Sequence, residues 1–228
     1  MKLKMRRKRK TKVFGREEKK ITQELINKLQ GRVVVYIDAA NLEKSVQELG
    51  FIPPKRVPRG SVWKGDKNRW RVDYKNLHRF FKRNSNLASI NFYTARFGTK
   101  SHNKFLMFLK KNGYRVVLKP IKTIKGRGRV ITCEKCGHRN RIPDERKADF
   151  DVEISVDATS WIGNFDTFVL FSGDSDFVYL IDFLKKRGKK IVVLSRRGHV
   201  ANELRSFQHI DYYQDIWKLR DEFLKRAY

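Results

Sequence analysis

The chain is short of acid, of cysteine and of long apolar runs. It holds 24 Asp and Glu against 53 Lys and Arg, a formal net charge of +29 at pH 7. Such an excess repels itself in a compact fold, so the natural counterpart is a polyanion. Nucleic acid comes first, because neutralising phosphates releases counterions and drives binding. Only two cysteines occur, Cys133 and Cys136. That excludes a disulfide scaffold and points to a reducing cytoplasm. No apolar run approaches the ~20 residues of a spanning helix. After the basic first residues come only Val13 and Phe14, and then Gly15-Arg16-Glu17-Glu18. The apolar region of a signal peptide is therefore missing. No long helix pairs a basic face with a Leu- and Trp-rich one, so an anionic membrane surface is the weaker partner. No internal repeat is present.

What is there is a rhythm of strand and helix. Residues 1–12 hold eight Lys or Arg and form a basic arm. Ile21, Leu25 and Leu29 then recur at helical spacing over 16–29. Val33-Val34-Val35-Tyr36-Ile37 is a continuous apolar run, as in a strand buried on both faces. Helices are expected over 41–49, 74–83, 104–111, 177–186 and 216–226. Strands are expected over 90–93, 114–118, 167–171, 190–194 and, weakly, 210–213. The alternation predicts an α/β fold with a parallel sheet of five or six strands and helices on both faces. Two stretches interrupt it and read as insertions, 51–71 and 120–145. The domain then runs over 31–215, between the arm with its short helix (1–30) and a C-terminal helix (216–228).

In a parallel sheet functional groups gather beyond the carboxyl ends of the strands. Asp38 sits at that end of the first strand, and Asp174 and Asp176 follow Phe168-Val169-Leu170-Phe171. An Asp at a helix start is often only a cap. Caps do not account for three acids at two strand ends in a chain so poor in acid. Close carboxylates repel unless a cation or proton neutralises them. Hard oxygen donors without a nearby His favour Mg²⁺ or Mn²⁺ over zinc. A further acidic cluster, Asp149 to Asp157, fits either a strand or a helix; the topology needs a crossover there, so a helix is expected. Asp151 and Asp157 then lie ~120° apart around its axis and ~9 Å apart along it. Asp151 is the expected ligand, with Asp157 serving the shell behind it.

These residues carry a family resemblance. Tyr36-Ile37-Asp38-Ala39-Ala40-Asn41, Asp151 with Asp157 six residues on, and Ser172-Gly173-Asp174-Ser175-Asp176-Phe177 resemble the NYN domain, in its LabA-like branch among the PIN-like nucleases. The resemblance runs from about 31 to 215. It implies a PIN-like three-layer sandwich and a metal-dependent ribonuclease. It implies metal binding by Asp38, Asp151, Asp174 and Asp176, with Asn41 and Ser172 positioning ligands or substrate. The Lys-Gly that members carry before the middle Asp is Lys147-Ala148 here.

Two other features bear on partners. Cys133-Glu134-Lys135-Cys136-Gly137-His138 resembles one knuckle of a zinc ribbon, with His138 a third ligand; a closed structural site needs four. A decayed ribbon or a plain thiol pair are the alternatives. Trp63, Lys64, Arg69, Trp70 and Arg71 interleave aromatics with cations, as surfaces that bind single-stranded nucleic acid do. The alternative is that the tryptophans anchor the insertion on the core. Arg127 and Arg129, with Arg196 and Arg197 past a strand end, are the other expected phosphate contacts. The expected activity is metal-dependent hydrolysis of RNA, with DNA not excluded. The alternatives are a nucleic-acid-binding regulator with a vestigial site and a surface binder acting through charge alone.

Overall fold

The computed structural model describes residues 17–51, 69–124, 130–132, 136–141, 145–205 and 208–227. Residues 17–28 form helix α1. Strand β1 (Arg32–Asp38) leads into α2 (Ala39–Gln47), and β2 (Arg69–Val72) into α3 (Tyr74–Asn84). Next come β3 (Asn86–Arg96), α4 (Lys100–Lys111) and β4 (Tyr114–Pro120). Four short strands follow: β5 (Lys122–Ile124), β6 (Val130–Thr132), β7 (Arg139–Arg141) and β8 (Glu145–Lys147). Helix α5 (Asp151–Ser160), β9 (Thr167–Phe171), α6 (Val178–Lys186), β10 (Lys190–Ser195) and β11 (Tyr212–Asp215) complete the alternation. The last elements are α7 (Arg220–Phe223) and β12 (Leu224–Ala227).

Six strands form one sheet in the order β11-β10-β9-β1-β3-β4, and every neighbouring pair is parallel. In chain order the six read 3-2-1-4-5-6, so the winding reverses between β1 and β9. That reversal leaves a crevice beyond their carboxyl ends, because the following connections depart to opposite sides. The central strands are buried along their apolar runs, β9 from end to end and β1 and β10 past an exposed first residue, as unbroken Val, Ile and Phe require.

Two apolar layers flank the sheet. Val33, Val35 and Ile37 point to one side, with Leu25, Leu42, Leu77, Phe81 and Phe223. Val34 and Tyr36 point to the other, with Ile154 and Ala158 of α5 and Ile181 and Leu184 of α6. The alternation along β1 is the strand period of two, read on both faces. Helix starts are capped by side chains: Asp73 accepts from Asn76 N–H at 3.1 Å and Thr99 from His102 N–H at 3.2 Å.

The stretch from 122 to 147 folds back on itself. β5 pairs antiparallel with β8, and β6 with β7. The turn between β6 and β7 carries Cys136 and His138, both exposed. The hairpin leaves the carboxyl end of β4 and returns just before α5, on the same edge of the sheet as the crevice.

Two expectations need correction. Residues 216–226 are not one helix. A 3-10 turn, Ile216–Leu219, passes into the short α7, and Leu224 then opens strand β12. β12 pairs antiparallel with β2, Leu224 opposite Val72 and Ala227 opposite Arg69. Phe223 and Leu224 are both buried, and the strand partner comes from the other end of the domain in sequence. Local periodicity carries no trace of such a partner. For the same reason residues 69–71, expected to close the first insertion, belong instead to strand β2 of the domain. Among the described residues no helix is long and apolar enough to cross a membrane.

Candidate active site

At the crevice, Asp38 ends β1 and caps α2. Its Oδ1 accepts from Asn41 N–H at 3.3 Å, and its Oδ2 from the Ser172 hydroxyl at 3.3 Å. Asn41 reaches across to β9, its Oδ1 accepting Gly173 N–H at 3.1 Å. Ser172 Oγ in turn accepts Asp174 N–H at 3.3 Å, and Asp174 Oδ1 accepts Asp176 N–H at 3.2 Å. One chain of hydrogen bonds thus ties the ends of two strands and the starts of two helical segments. Asp38 and Asp174 are caps and pocket carboxylates at once.

Gly173 explains why this corner is close-packed. A Cβ there would lie 2.0 Å from the His199 carbonyl oxygen and 2.7 Å from Ser195 Oγ. Its own carbonyl accepts Ala201 N–H at 2.9 Å. The loop after β10 therefore clamps directly onto the segment that positions Asp174. That loop also holds Arg196 and Arg197 on the same edge of the sheet, and His199 pairs with Glu48 at 2.8 Å.

Asp38, Asp151 and Asp174 line one pocket of about 180 Å³, with Asn41, Lys44 and Asp149. Burial pushes the Asp151 carboxyl up to about 6, reinforced by the charges of Asp174, Asp38, Asp176 and Asp149. Burial also raises Asp38, against the pull of the Asn41 N–H and the Ser172 hydroxyl. Asp176 is exposed and does not line the pocket, yet its field reaches Asp151. Among the described residues no three His, Cys, Asp or Glu side chains stand close enough to enclose one ion. Lys44 has no place in the sequence pattern above, and Asp149 stands there only as the first residue of the acidic cluster. The available signal for Lys44 was its place three residues after Asn41, on the same helix face.

Asp157 goes elsewhere. Its Oδ2 accepts from the Tyr93 hydroxyl at 2.8 Å and from Arg115 at 2.6 Å, so it braces α5 on β3 and β4. Trp70 packs edge-on against Trp217 at 5.3 Å, with Arg226 over its ring at 5.4 Å. It anchors β2, and Arg71 beside it is exposed. Arg69 pairs through its backbone with Ala227. Trp63, Lys64, Arg127, Arg129 and Cys133 lie outside the described residues.

The NYN domain model matches residues 32–214. The chain belongs to the NYN family. Its sheet, reversal and acidic crevice place this NYN protein among the PIN-like folds. It is 30% identical over 156 residues to the low amplitude and bright protein LabA of Synechococcus elongatus, covering 68% of this chain and 77% of LabA. It is thus of the LabA-like branch. It is 34% identical over 83 residues to the uncharacterized protein MJ0482 of Methanocaldococcus jannaschii, covering 36% of this chain and 32% of that protein. The crystal structure of VPA0982 from Vibrio parahaemolyticus shares the fold of this NYN domain at a TM-score of 0.60 and 21% identity. That likeness covers 86% of this chain and 98% of the other.

Proposed function

We propose that this NYN domain is a divalent-metal-dependent endoribonuclease. One observation carries the reading: carboxylates from three separate segments meet in one pocket at the reversal of the sheet, and the charges of Asp174 and Asp38 add to the burial that holds the Asp151 carboxyl up. Such mutual repulsion is what a bound cation relieves. Asp38, Asp151 and Asp174, with Asp176 at the rim, stand too far apart to enclose an ion by themselves; one or two of them would hold Mg²⁺ or Mn²⁺ directly and the others through the waters that such ions keep. An ion bound there supplies a water of lowered pKa and stabilises charge at the phosphate. Ser172 and Asn41 fix the carboxylates and draw β1 and β9 together. Lys44 brings positive charge to the same pocket, where a phosphate has to approach four acids. Arg196 and Arg197 stand on the adjacent strand end, placed to take a neighbouring phosphate. The remaining positive charge binds the RNA backbone over a wider surface, and a DNA strand would meet the same charge.

Cys133, Cys136 and His138, carried between β6 and β7, are proposed to hold a structural zinc. Elemental analysis of protein purified without chelator should then find zinc near one equivalent, and its absence leaves a decayed ribbon. A reducing cytoplasm fits both thiols.

The test of the nuclease reading is incubation with labelled single-stranded RNA in Mn²⁺ or EDTA, using wild type and Asp174→Asn. Cleavage should need both the ion and Asp174. Equal cutting by Asp174→Asn would assign the activity to a contaminant and leave this domain a nucleic-acid-binding regulator.

A further inference from the structure

A second and larger cavity opens on the other side of α2. It measures about 660 Å³, inside the usual range for a small-molecule site. Its wall is aromatic: Trp70, Tyr74, Phe97, Phe105 and Phe108 line it. Phe97 is 53% exposed and Phe108 40%, so these rings face the opening and are not spent in the core. Polar groups converge inside. Tyr74 donates to Glu43 Oε1 at 2.8 Å. His102 also lines the cavity, its ring edge-on to Phe97 at 4.8 Å. His102 Nε2 is buried and has no hydrogen-bond partner among the described residues. Two cations, Arg71 and Lys225, complete the lining.

Nothing in the proposed hydrolysis uses this cavity, and its chemistry is not that of a packing defect. Aromatic faces, a desolvated carboxylate, an unpaired imidazole nitrogen and two cations are the set that a nucleotide would engage. The rings stack on a base, Glu43 accepts from an exocyclic amino group, and the cations meet the flanking phosphate. Glu43 lies on the same helix as Asn41 and Lys44 of the acidic pocket, five residues past Asp38. That is about 7.5 Å along the helix axis, with the width of the helix, about 10 Å, between the two openings; at about 3.4 Å per stacked nucleotide the path is a few nucleotides long.

We propose that this cavity is a base-binding subsite, which takes an amino-bearing nucleobase a few nucleotides from the phosphate held at the aspartates. It rests on the nuclease reading for its position relative to the cut, but base binding itself needs no cleavage. The test is therefore metal-free calorimetry with the four ribonucleoside 5′-monophosphates on the full chain. AMP, CMP or GMP should bind about tenfold more tightly than UMP, the discrimination of one good carboxylate-to-amino contact. Glu43→Gln keeps an acceptor for Tyr74 and should bring the difference below about threefold. Phe97→Ala, at an exposed ring, should weaken every nucleotide by about tenfold through lost stacking. Equal binding of all four, or discrimination unchanged in Glu43→Gln, would overturn the proposal. So would binding that appears only after residues 52–68 are deleted, because the chain's own segment would then be the occupant. An inactive nuclease that still shows the Glu43-dependent preference would separate the two ideas.

Discussion

Asp151→Asn should make the metal-free protein more stable. The ordinary carboxyl value of 3.8 rises to about 6 in the fold. At ~1.4 kcal/mol per tenfold, ionising Asp151 there costs ~3 kcal/mol. The side chain is only half-buried, so screening by solvent leaves roughly half. Its place in the first turn of α5 works the other way, since a carboxylate there gains ~0.3–1 kcal/mol from the helix dipole. About 1 kcal/mol remains, or roughly 2–4 °C in melting temperature for a chain of this size. The sign follows from the protons bound. Between about pH 4 and 6 the folded protein holds a proton that the unfolded chain has lost, so stability falls as pH rises through that window and stays low above it. Asn carries no such cost. Thermal melts in EDTA should show no gain for the variant below about pH 4, a growing gain up to pH 6, and a plateau at pH 7 to 8. Adding Mn²⁺ should stabilise wild type more than the variant and erase the difference. A gain of the same size at every pH, or none at pH 7.5, would refute the claim that the four neighbouring carboxylates and burial hold Asp151 in a strained ionised state.

Gly173→Ala should cost roughly 1–3 kcal/mol by overpacking, because the new methyl meets the His199 carbonyl; limited proteolysis should show the loop after β10 opening first. Phe223→Ala should cost ~3–5 kcal/mol in urea unfolding, since this buried ring stacks on Phe81 and meets Phe80 and Phe171. Deleting residues 1–12 should weaken RNA binding and flatten its dependence on salt, because fewer counterions are released. Slow cleavage at saturating RNA should survive that deletion, and filter binding over a salt series checks the slope.

The sheet was legible because its strands are buried on both faces and so read as unbroken apolar runs; β1, β9 and β10 lie where Val33–Ile37, Thr167–Phe171 and Lys190–Leu194 indicate. The crossover helix α5 was ambiguous by period alone, since Val152 and Val156 are apolar yet exposed. Topology decided it. The positions of Asp38 and Asp174 at neighbouring strand ends follow from parallel pairing. The place of Asp157 does not: its partners Tyr93 and Arg115 come from two other strands. The aromatic cavity was equally invisible, because its lining comes from α2, β2, α3, β3, α4 and β12, and no local pattern joins them. The pairing of β2 with β12 escaped for the same reason.

The double duty of Asp38 and Asp174 bears on how their survival in other proteins is to be understood. Each caps a helical segment, and replacing a capping Asp by Ala costs ~0.5–2 kcal/mol of stability whatever the domain does. Asn caps about as well as Asp. A lineage that stopped cutting RNA would therefore still be penalised for drifting at these two positions, except towards Asn. Asp151 has no capping bond to keep it, and while ionised it opposes folding. Once selection for metal is relaxed it should be the first of the set to go. In a comparison of homologues, an intact Asp38 and Asp174 would say little about catalysis, and the residue standing at position 151 would say much more.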